Sequence, residues 1–61
     1  MEVVNDKNGK FIDNVNFDTT PRKGEKLIDK TLNKTYEIVE IEYIYRSFEV
    51  DKVRIRVKQT K

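Results

Sequence analysis

The chain has 61 residues, 39% of them charged and 36% hydrophobic, and a formal net charge of +2. That length makes one domain, 1–61, near the lower limit for folding alone. It contains no Cys and no His, which excludes disulfides and the common zinc ligand sets that support domains of this size. The fold must therefore rest on an apolar core, extended if need be by self-association or by a partner.

Val3 and Val4 open a short apolar stretch, and Asn8-Gly9 follows it. That dipeptide is the strongest short hairpin signal, because a type I′ turn needs two residues that tolerate positive φ. The next strand is expected over residues 10–17. Phe11, Val15 and Phe17 would face the core, and Ile12, Asn14 and Asn16 would face away. Residues 18–24 hold Pro21 and Gly24 and read as a loop. A short strand at 25–28 turns Leu27 or Ile28 inward, and a turn at 29–34 lets Asn33 take positive φ.

Residues 35–45 form the longest β run, dominated by Tyr, Ile, Val and Thr. Val39, Ile41, Tyr43 and Tyr45 share one parity and are assigned to the core. Tyr36, Ile38, Glu40, Glu42 and Ile44 share the other, and the two glutamates direct that set outward. Residues 46–51 connect to a closing strand at 52–58, where Val53, Ile55 and Val57 alternate with Lys52, Arg54, Arg56 and Lys58. No window keeps helical spacing of apolar residues. Five short strands with turn signals at intervals of roughly 8–12 residues predict an all-β fold. The expected form is a small single-domain antiparallel sheet, curled or closed as an SH3-like or similar small barrel.

Charge is unevenly distributed. Residues 1–51 carry a net of −3, and residues 52–61 carry +5 with no acid. A hairpin with Phe48 at its tip makes the numbers of facing residues sum to 96. Tyr43 then faces Val53, Ile41 faces Ile55 and Val39 faces Val57 on the core side, while Glu42 faces Arg54 and Glu40 faces Arg56 outside. Each such pair contributes roughly 0.2–1 kcal/mol. The basic row is thus first a register device. Lys52, Lys58 and Lys61, with Arg22 and Lys23 in the loop, lack acids nearby in sequence.

Catalysis has few candidates. The usual general base and thiol nucleophile are absent, and Ser47 is the only serine. No phosphate-binding glycine loop occurs, and Asp6-Lys7-Asn8-Gly9 lacks the rest of a calcium loop. No cofactor or metal is expected. No apolar run approaches the ~20 residues that cross a bilayer, and no basic-then-apolar segment opens the N-terminus. A cytoplasmic protein is expected.

Pro21-Arg22-Lys23-Gly24-Glu25, then Lys34-Thr35-Tyr36-Glu37-Ile38-Val39, then the alternating basic strand, resemble a pattern in short uncharacterised proteins of phages and mobile elements in low-GC bacteria. The likeness spans about residues 17–58. It implies a compact β fold and a phage or mobile-element setting, in which chains this small often block or redirect a host protein. It transfers no functional residue.

The leading expectation is a non-enzymatic binding protein that docks on another macromolecule through Tyr36, Ile38, Ile44 and Phe48 with Arg54 and Arg56. On that reading Ile38 is exposed, and Ile38→Asp leaves the fold intact. The alternative is a nucleic-acid-binding barrel that uses Lys52, Arg54, Arg56, Lys58 and Lys61 beside exposed aromatics. A third reading is a structural subunit that forms a homo-oligomer.

Overall fold

A computed structural model describes residues 1–60, and Lys61 lies outside them. Five strands form: β1 (Glu2–Asn5), β2 (Phe11–Asn14), β3 (Lys26–Asp29), β4 (Lys34–Arg46) and β5 (Glu49–Gln59). They make one sheet in the order β2-β1-β5-β4-β3, curled into a half-barrel. The all-β expectation holds, with two corrections. The sheet is mixed, because β1 runs parallel to β5 with Val3 beside Ile55. The edge strands β2 and β3 do not pair with each other, so the barrel stays open. The parallel pair joins residues about fifty positions apart, and no local turn signal announces it.

β5 is the central strand, flanked by β1 and β4. Its Ile55 and Val57 are fully buried, together with Ile38, and Val3 and Tyr36 complete the cluster. Burying each such Val or Ile side chain contributes roughly 1.5–3 kcal/mol. Leu27, Val15, Phe17, Ile12, Ile41 and Val53 pack around them half-buried.

The β4–β5 register follows the expected pairing from Glu40 opposite Arg56 to Ile44 opposite Lys52. It shifts by one residue at each end. Between Ile38 and Glu40 the extra residue is Val39, so Ile38 rather than Val39 faces Val57. A bulge reverses the parity of everything beyond it. Tyr36 and Ile38 therefore turn inward, at 8% and 0% exposure, which corrects their expected outward placement. A third bulge, at β1–β2, acts likewise: Val3 faces Asp13 but Val4 faces Phe11. Ile12 packs on the core, and Phe11 points to solvent, the reverse of the parity expectation.

The turns also differ from expectation. Gly9 has φ 72 but Asn8 is not left-handed, so no two-residue turn forms there. Asn5 instead organises the loop: its side-chain oxygen accepts from the N–H groups of Lys7 and Asn8, and its carbonyl accepts from Gly9. The tight two-residue turn occurs at Ser47 and Phe48, with φ of 51 and 67, and shortens the expected connection at 46–51. Asn33 takes positive φ, as anticipated.

Ile38→Asp should abolish folding. It places a carboxylate where nothing solvates or pairs it, a cost of several kcal/mol, comparable to the whole stability of a small domain. Circular dichroism and a urea titration check this: loss of the cooperative transition is the expected result.

Candidate functional site

Two surfaces carry the residues singled out by sequence. The first is the outer face of β5. Arg54 lies 3.1 Å from Glu2 and 3.8 Å from Glu42. The Arg56 Nε donates to Asp6 Oδ1 at 3.0 Å, its Nη1 donates to Glu42 Oε1 at 3.3 Å, and its Nη2 donates to the Asp6 carbonyl. Lys52 reaches Glu2 and Lys58 reaches Glu37, each at 3.8 Å. All four cations of the row thus meet a carboxylate. The hydrogen bond to Asp6, then that to Glu42, holds the Arg56 guanidinium more firmly protonated than usual.

Sequence reasoning anticipated Glu42 beside Arg54. It missed Glu2 and Asp6, which reach the row only because β1 lies parallel to β5. Glu40 faces Arg56 in register, yet the Arg56 contacts go to Glu42 and Asp6. Lys61, the remaining member of the nucleic-acid set, is outside the described residues.

The second surface is the free end of the β4–β5 hairpin. β3 accompanies β4 only as far as Glu37; beyond it the Gly24 N–H donates to the Ile38 carbonyl and the Ile38 N–H donates to the Glu25 carbonyl. β1 accompanies β5 only over Arg54–Val57. Beyond these points the hairpin projects as two strands, and the molecule measures 39 Å along its longest axis against 19 Å along its shortest.

The core face of the sheet continues onto this projection without cover. Tyr43 and Tyr45 lie on it at 49% and 64% exposure, and Val50 at 52%. A bulge at Asp51 lets Val50 join Val53 on that face although they are three residues apart. Phe48 at the tip is fully exposed. Ile44 is half-buried on the opposite face, beside Lys52. Of the expected docking set, Phe48 and Ile44 remain accessible, Arg54 and Arg56 are in ion pairs, and Tyr36 and Ile38 belong to the core. Tyr43, Tyr45 and Val50 replace them. Parity placed Tyr43 and Tyr45 in the core, and only the short lengths of β1 and β3 reveal that nothing covers them.

The open side of the half-barrel is a groove of about 730 Å³. Ile12, Val15 and Phe17 line one flank, and Leu27 and Leu32 the other. Among the described residues, no group of three or more His, Cys, Asp or Glu could hold a metal ion. No helix there is long and apolar enough to cross a membrane. No protein-family model, curated protein or solved structure matches the chain.

Glu2 bridges Lys52 and Arg54, so Glu2→Gln should lower stability by about 0.5–1 kcal/mol at low salt and by less as salt screens the pair. Urea unfolding at two ionic strengths measures both effects.

Proposed function

We propose that this chain is a non-enzymatic binding domain that docks on another protein through the projecting end of its β4–β5 hairpin. The observation that carries this reading is Phe48. A bulky residue with φ 67 costs on the order of 1 kcal/mol relative to glycine in that conformation. Here the strained residue is also fully exposed, where its ring contributes nothing to the core. Strain retained at a surface position, beside exposed Tyr45 and Val50, supports a contact made with something outside the chain. Aromatic anchors at the centre of a patch are the usual source of affinity in such contacts. The resemblance to phage and mobile-element proteins fits a small modulator that works by occupying a host protein's surface.

The nucleic-acid reading has less support. Binding of that kind draws its affinity from cations free to neutralise phosphates, and Lys52, Arg54, Arg56 and Lys58 are already neutralised within the sheet.

Phe48→Gly separates function from folding. It should leave stability unchanged or raise it by up to about 1 kcal/mol, since strain relief outweighs or offsets the added freedom of the unfolded chain. It should also abolish retention of the partner captured by immobilised wild-type protein, as should Tyr45→Asp. Retention of the same partner by both variants would overturn the choice of surface. Binding of an oligonucleotide that weakens steeply with salt would favour the alternative.

A further inference from the structure

The exposed hairpin has an edge as well as a face. From Val39 to Arg46 the β3-side edge of β4 has no strand neighbour among the described residues. Natural edges of this length are usually blunted by charged side chains, above all Lys, by Pro, by bulges or by a covering loop. Residues 39–45 contain no Lys, Pro or Gly, and their only charges are Glu40 and Glu42. A two-stranded ribbon is marginal in water without a third strand or a packing surface.

We propose that the occupant of this edge is a second copy of the same chain, with the two β4 strands paired antiparallel about a two-fold axis at Tyr43. The proposal rests on the docking reading of the hairpin and names its partner. Residues opposite each other in an antiparallel pair share a face, so a two-fold that continues both sheet faces must be centred on a residue. Centred on Tyr43, the register sets Tyr43 against Tyr43 of the second copy and Ile41 against Tyr45 on the exposed apolar face. It also sets Glu40 against Arg46, twice by symmetry.

On this stretch of β4 those two charges are the least engaged within the chain. Glu40 enters no ion pair among the described residues. Arg46 is 80% exposed and makes only a long contact, 3.7 Å, with Asp51, whose side chain is 37% exposed. A centre at Glu42 would oppose two like charges. A centre at Ile44 would offer Arg46 a glutamate that already serves Arg54 and Arg56.

Surface area points the same way. The chain exposes 4957 Å². A folded monomer of 7.3 kDa is expected to expose roughly 4,200 Å². The excess of about 800 Å² equals one partner's share of a standard interface.

Sedimentation velocity and light scattering of the full chain over a wide concentration range test the proposal. The expected result is a species of twice 7.3 kDa. Glu40→Arg and Arg46→Glu should each weaken the dimer by about tenfold, because each sets like charges opposite at two symmetric places. The double variant should restore it. Within one chain the double variant keeps both unfavourable neighbours, Arg56 and Glu49, so recovery can come only from contact between chains. Circular dichroism checks that all three fold. A monomer at every concentration overturns the proposal, and so does a dimer indifferent to the single reversals or one not recovered by the double. A chain that stays monomeric yet captures a protein through Phe48 overturns self-pairing and leaves the docking reading standing. A dimer that follows the charge pattern and captures nothing bears out self-pairing and removes the separate partner.

Discussion

β5 is held on both edges, by β1 in parallel and by β4 in antiparallel fashion, and most of the molecule follows from that position. Its inward Ile55 and Val57 meet neighbours from both sides and lose all contact with water. Its outward cations find acids on both sides: Glu2 and Asp6 from the N-terminal hairpin, Glu37 and Glu42 from β4. The strand thus joins the two ends of a chain that contains no Cys and no His. Surface ion pairs contribute little singly. Here, sharing Glu2 and Glu42 between cations organises them into a network on one face, while the other face supplies the burial.

Bulges decide what this framework buries and what it leaves out. Val39 is the extra residue that brings Ile38 and Ile41 to the same face. Asp51 does the same for Val50 and Val53. Each keeps a continuous apolar face along strands whose residues would otherwise fall out of phase. The consequence is asymmetric. At the body end, that face is covered by β1, β2 and the β3 region. At the hairpin end it runs past its cover, leaving Tyr43, Tyr45 and Val50 open to solvent under a strained Phe48. A core and a contact surface are one apolar strip, divided only by the lengths of β1 and β3.

Much of this was legible in the sequence. Alternation in the closing strand determined that Val53, Ile55 and Val57 share a face opposite Lys52, Arg54, Arg56 and Lys58, because side chains of an extended strand alternate by steric necessity. The same alternation, with Glu40 and Glu42, set the central register of the last hairpin. Asn33 announced its left-handed turn through a side chain that tolerates positive φ. What the sequence left undecided lies where pairing is non-local or where one residue is inserted. No local signal marks Val39, Ile12 or Asp51 as a bulge, yet each reverses the inside and outside of its neighbours. That is why Tyr36 and Ile38 lie in the core. The parallel seating of β1 on β5, and with it the capture of Arg54 and Arg56 by Glu2 and Asp6, was settled only by the tertiary structure. It depends on which free edge can cover the apolar face of β5, a matter of global packing rather than of local chain preference.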